Sequence, residues 1–186
     1  GITGTAQADL YVHVPRSVKD APAGSVPVLL FGHGIFSRPS AYLGDDDDPS
    51  ALQRLADEGG FIVVATTWRG LTTTDLPGAL SVANDFANIP LLGGRLVQGQ
   101  VNARTLVEMV HQGDLLDDAV FQGAQGQSLP LRDRVVYYGI SLGGIEGAVL
   151  MAQDPPIDAA VLHVGGASWS TMLERSSNWT IFEELM

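Results

Sequence analysis

Residues 137–147 read YYGISLGGIEG. Ahead of them lies DRVVYYGI (133–140), a continuous apolar run of the kind that forms a strand buried on both faces. Behind them lies LGGIEGAVLMAQ (142–153), a helix-forming run stopped by DPP. The chain passes from strand to helix at one residue, Ser141. Gly139, Ser141 and Gly143 are spaced as such a sharp turn requires, because any side chain two residues before or after the serine collides with the turn. The turn lifts the serine hydroxyl above the C-terminal edge of the sheet. It also places Ser141 at a helix N-terminus, where free N–H groups favour developing negative charge. Ser141 is therefore the candidate nucleophile, and Leu142 supplies the N–H group that follows it.

The same strand-then-turn grammar recurs upstream. VPVLLFGHG (26–34) and FIVVATTW (61–68) are apolar runs that read as buried strands, and IDAAVLHVGG (157–166) reads as another. ADLYVHVP (8–15) alternates and reads as an edge strand. ALQRLADEGG (51–60) reads as a helix started by Asp-Pro-Ser and closed by its glycines. QVNARTLVEMVHQG (100–113) also has helical spacing. The segment from Arg69 to Gly99 is expected to be irregular, and SSNWTIFEELM (176–186) reads as a capped helix. Strands alternating with helices predict an α/β fold, a mostly parallel sheet with helices on both faces. The chain reads as one domain, 1–186, with segments 71–100 and 166–186 as candidate lids or walls.

Composition bounds the function. The formal net charge of -11 disfavours nucleic acid and anionic membrane surfaces as partners. No apolar run reaches the ~20 residues of a membrane-spanning helix. The chain has no cysteine, which excludes disulfides, thiolate metal sites and a cysteine nucleophile. The aspartates at 45–48 are expected to be solvated rather than to hold a metal, since adjacent like charges repel and the spacing of a calcium loop is missing. No cofactor is implied.

A second backbone donor for an oxyanion is expected after an earlier strand. His33-Gly34 occupies that place, with Ile35 as the donor and Phe36 as the alternative. The His33 side chain is expected to hold the turn rather than to act in chemistry.

GHGIF after one strand and GISLGG after a later one resemble the α/β-hydrolase superfamily. The order of PVLLFGHG, FIVVATTWRGLTTTDLP, GRLVQGQVN, YYGISLGG and AVLHVGGASWSTMLERS is similar to that of bacterial lipase-like and esterase-like serine hydrolases, which are often exported. The resemblance covers nearly the whole chain. It implies hydrolysis of small-molecule or lipid esters through an acyl-serine, without a cofactor, in an exported or cell-envelope protein. It also implies an acid and a histidine later in the chain than the nucleophile. After Ser141 there is one histidine, His163, inside an apolar run and therefore expected to be a core residue. His13 and His111 precede the serine. The expectation is an N-terminal part of the fold, incomplete at its C-terminus. The base and acid would come from a missing C-terminal part, in the same protein or as a second chain. TWRG (67–70) has Thr67 where the family often has Asp, and Arg69 is expected to pair a carboxylate. Trp68 and Trp169 are pocket candidates, with Trp179 a further lid residue.

Overall fold

The computed structural model describes residue 5, residues 7–44, 48–153 and 155–167, and residue 175. Its strands are β1 (Leu10–His13), β2 (Val26–Gly32), β3 (Ile62–Thr66), β4 (Pro130–Ile140) and β5 (Ala159–His163). The helices are α1 (Ala51–Gly59), α2 (Leu76–Asn84), α3 (Ile89–Gln112) and α4 (Leu142–Met151), joined by short 3-10 turns. The strands form one sheet in the order β1-β3-β2-β4-β5. β1 pairs antiparallel with β3, and the other pairs are parallel.

Each face of the sheet packs its own layer. Val28, Leu30, Ile62, Val64, Val135 and Tyr137 face α3 and α4, where Ala103, Leu106, Val107, Val110, Leu142 and Leu150 complete a core. The alternate residues, Leu29, Phe31, Val63 and Ala65, pack against Leu52 and Ala56 of α1. Every residue of β3 is buried, which is why its run carries no polar alternation. α1 starts as read: the Ser50 hydroxyl accepts from Gln53 N while Gln53 Oε1 accepts from Ser50 N. It ends at Gly60 in the left-handed conformation.

Two expectations need correction. The segment expected to be irregular is mostly helical, with α2 inside it and α3 running on from Ile89. Its glycines do not break α3. Gly99 is there for close approach, because a Cβ would lie 3.0 Å from Arg69 N. The second correction is β5, which was expected to be buried. All five of its residues are exposed, with Val161 at 59% and Leu162 at 41%. Among the described residues β5 is the last strand of the sheet, and α4 reaches it at its C-terminal end, where a Cβ on Gly144 would lie 3.0 Å from His163 O.

Candidate active site

Ser141 has φ 55 and ψ −110, a conformation that L-residues avoid at a cost of roughly 1–3 kcal/mol. The surrounding backbone holds it there. Ser141 N–H donates to His163 O at 2.9 Å, and Gly143 N–H donates to His33 O at 2.9 Å. Space at the turn is spent completely. A Cβ on Gly139 would lie 2.1 Å from Gly143 O, and one on Gly143 would lie 2.1 Å from Gly32 O. α4 then packs on the end of β5 and the turn after it through Gly144, whose Cβ would lie 3.0 Å from His163 O and 2.9 Å from Gly165 Cα. The Ser141 side chain makes no capping bond to α4. Its hydroxyl has no hydrogen-bond partner among the described residues.

Tyr137 braces the turn from below. Its hydroxyl donates to Gly143 O at 2.5 Å. Burial drives its pKa far above the ordinary tyrosine value, with the Glu146 carboxylate adding to the effect, so it stays a neutral donor. Gly32, Gly139 and Gly147 all owe their missing side chains to this ring or its hydroxyl, which lie within 2.6 Å of each would-be Cβ. Sequence reading did not single out Tyr137. The signal was present as Gly32 and Gly147, glycines beyond the two that the turn itself demands.

The turn after β2 lies against the serine. A Cβ on Gly34 would be 3.8 Å from Ser141 Cβ. His33 is fully buried, and both ring nitrogens are engaged. Nε2 accepts from Trp68 N–H at 2.9 Å, so the Nδ1 proton points to Gly34 O at 2.8 Å. Burial lowers the His33 pKa, and the bond to Gly34 only partly opposes this. The ring is thus a neutral strut between β2 and β3. Gly34 N–H donates to the Tyr42 hydroxyl at 3.1 Å. Phe36 N–H donates to Leu71 O at 2.7 Å, so the alternative donor is already used. Neither Ile35 N–H nor Leu142 N–H donates to another group among the described residues.

The remaining candidates are placed elsewhere. His163 is exposed, not a core residue. Its ring stacks on Tyr138 with Nδ1 2.8 Å from the tyrosine hydroxyl, and among the described residues neither ring nitrogen bonds to the Ser141 hydroxyl. His111 contacts Pro156 O at 2.6 Å, and His13 lies on β1 at the far edge of the sheet. Trp68 is a core residue at 2% exposure, packed with Tyr137 beneath Gly32. Among the described residues Arg69 donates to the Gln7 carbonyl at 3.3 Å and to no carboxylate. Thr67 reaches Asp9 at 3.5 Å. Residues 45–47, Trp169 and Trp179 lie outside the described residues. No cluster able to hold a metal occurs among the described residues.

Two buried carboxylates also escaped the sequence reading. Glu146 on α4 receives Gln100 Nε2 of α3 at 2.5 Å, and Gln100 Oε1 accepts from Gln153. Burial raises the Glu146 pKa, and the Gln100 bond limits the rise. Asp75 accepts four hydrogen bonds, from Gly70 N–H, Thr72 N–H, the Thr72 hydroxyl and Arg95. Burial alone would raise its pKa, but these donors outweigh it and hold the carboxyl below its usual value.

No protein-family model and no curated protein matches the sequence. Solved structures do match. One is acetyl xylan esterase 1 from Thermoanaerobacterium sp. JW/SL YS485, with a TM-score of 0.52 and 21% identity over 89% of this chain. Another is an acetyl xylan esterase from Aspergillus awamori, with a TM-score of 0.40 and 18% identity over 82% of this chain. The chain spans 49% of the length of the first and 45% of the second. The likeness to the first establishes the fold, which is that of the α/β-hydrolases.

Proposed function

We propose that this chain carries the nucleophile and the oxyanion donors of a serine hydrolase that acts on carboxylic esters. The observation that supports it best is Ser141. It is a serine held in a strained conformation at a helix N-terminus, beside a second turn, and among the described residues neither its hydroxyl nor the Ile35 N–H has a hydrogen-bond partner. In this reading Ser141 Oγ attacks the ester carbonyl while a base takes its proton. Leu142 and Ile35 N–H groups hold the oxyanion. The C–O bond to the alcohol then breaks, leaving an acyl-serine that water hydrolyses. The esterase name of the structural neighbour from Thermoanaerobacterium agrees with this chemistry.

The base and acid belong to polypeptide outside the described residues. β5 supports this assignment. It has the apolar run of a strand buried on both faces, yet it stands exposed beside the nucleophile turn, with no strand on its outer edge among the described residues. A further layer of the same fold, in the same chain or a second one, would cover it and bring the two groups to Ser141.

Ser141→Ala in the full-length protein tests the reading with p-nitrophenyl acetate as substrate. Turnover should fall by about ten-thousandfold or more. Hydrolysis that survives the substitution would overturn the proposal. A non-catalytic scaffold is the second reading, and the lack of any base bonded to Ser141 among the described residues is what favours it. Acyltransfer or amide hydrolysis would use the same geometry with another acceptor or leaving group.

A further inference from the structure

The turn that carries Ile35 is strained as well. Phe36 has φ 49, in the left-handed region that a bulky L-residue avoids. Such a residue persists only where its surroundings over-determine it. Two contacts hold the two sides of Phe36. Its N–H donates to Leu71 O at 2.7 Å, and its carbonyl accepts from the Thr73 hydroxyl at 3.0 Å. Ser37 adds a parallel bridge to Thr72. The oxyanion turn is therefore clasped by residues 71–73.

The clasp has no regular structure of its own until the 3-10 turn that begins at Thr73. It is organised by one side chain. Asp75 Oδ2 accepts from Gly70 N–H at 2.7 Å, Thr72 N–H at 3.3 Å and the Thr72 hydroxyl at 2.7 Å. Asp75 Oδ1 pairs with Arg95, which anchors the assembly to α3. Gly70 permits this route: it has φ 105, and a Cβ there would meet Leu96 of α3 at 3.0 Å. Residues 70 and 72 are thus pinned on either side of Leu71, the residue whose carbonyl holds Phe36.

We propose that Asp75 is a positioning residue for the oxyanion turn: it braces residues 70–73, and these hold Phe36 and with it the Ile35 N–H against the carbonyl that Ser141 attacks. The proposal rests on the serine-hydrolase reading. It differs from a mere helix-capping role for Asp75, because a cap would affect stability without changing the rate at each folded site.

The test uses the full-length protein and three variants, Asp75→Asn, Asp75→Ala and Thr73→Val. Thr73 is exposed, and its substitution removes the bond to Phe36 while leaving the bonds to Asp75 untouched. Active-site titration sets the concentration of competent enzyme. Per titrated site, each variant should lose about tenfold or more in kcat with p-nitrophenyl acetate. That is less than the roughly hundred- to thousandfold loss expected for deleting an oxyanion donor outright. KM should stay within about twofold, since only the transition state uses the donor. Inhibition by phenylboronic acid, which forms a tetrahedral adduct on serine, should weaken in parallel with kcat. If the Asp75 variants do not fold, Thr73→Val alone decides. Unchanged kcat per site and unchanged boronate inhibition in Thr73→Val would overturn the proposal. An active Ser141→Ala would instead overturn the underlying hydrolase reading, whatever the Asp75 variants do.

Discussion

Two turns frame the candidate site, and they are held in different ways. At the Ser141 turn the would-be Cβ of Gly143 meets the Gly32 backbone at 2.1 Å, and that of Gly139 meets the Gly143 backbone at the same distance. At the Gly34 turn the nearest atom is the Tyr42 hydroxyl, 2.7 Å away at the end of a side chain that can swing. Both turns contain a non-glycine residue at positive φ, Ser141 and Phe36. The first is fixed by backbone packed on backbone, so its shape is nearly inseparable from the sheet. The second is fixed by the Tyr42 and Thr73 hydroxyls and the Leu71 carbonyl, with Asp75 and Arg95 behind them. A turn of the first kind fails together with the fold. A turn of the second kind can lose its geometry while the fold survives.

That difference gives an ordered set of tests. Gly143→Ala should have the largest effect, about 3 kcal/mol or more of lost stability, because no rotamer relieves a clash with backbone. Denaturant unfolding measures it, and full stability would refute the account of the turn. His33 comes next. Its pKa is lowered from 6.5 by burial, so the unfolded chain binds a proton more readily than the folded one. The stability it contributes is complete above pH 6.5 and is lost as pH falls from there toward its folded pKa, by up to about 1.4 kcal/mol per pH unit. Thermal midpoints of His33→Gln should fall less steeply below pH 6.5 than those of the parent. Gly34→Ala should separate rate from stability, with a loss of about 1 kcal/mol or less but roughly tenfold in kcat. Equal losses in both would erase the contrast between the turns. Ser50→Ala, at the start of α1 on the other face of the sheet, should cost about 1 kcal/mol and leave kcat unchanged.

Asp75 belongs to the same contrast. Its carboxyl is held below its usual pKa, so its bracing is complete above the ordinary carboxylate range and is lost as pH falls through its folded value. Arg95 pairs with it directly, and Asp9 and Arg69 line the same cavity of about 390 Å³.

Much of this could be read from the chain. The apolar runs of β2, β3 and β4, the Ser50 cap of α1 and the spacing of Gly139, Ser141 and Gly143 each express a local rule. Strands buried on both faces lack alternation, helix ends need caps, and a sharp turn cannot hold side chains. The two engaged nitrogens of His33 are a tertiary contact that no local spacing carries. α3 was read too short because its glycines and Pro90 look like breakers. Pro90 sits in the first turn of α3, where its missing N–H costs nothing. Gly99 is required by a neighbour that is distant in sequence.

By itself the sequence determined the alternation of strands and helices, the place of Ser141 between them and the glycines that make its turn possible. These depend on residues a few positions apart. Only the tertiary structure decided that β5 stands exposed although its sequence is that of a buried strand, since burial depends on what packs against it. It alone decided that Trp68 is core, that Tyr137 sits under the nucleophile turn, and that Asp75 and Arg95 grip the loop behind Phe36. Those contacts join elements far apart in the chain, and no local rule of spacing carries them.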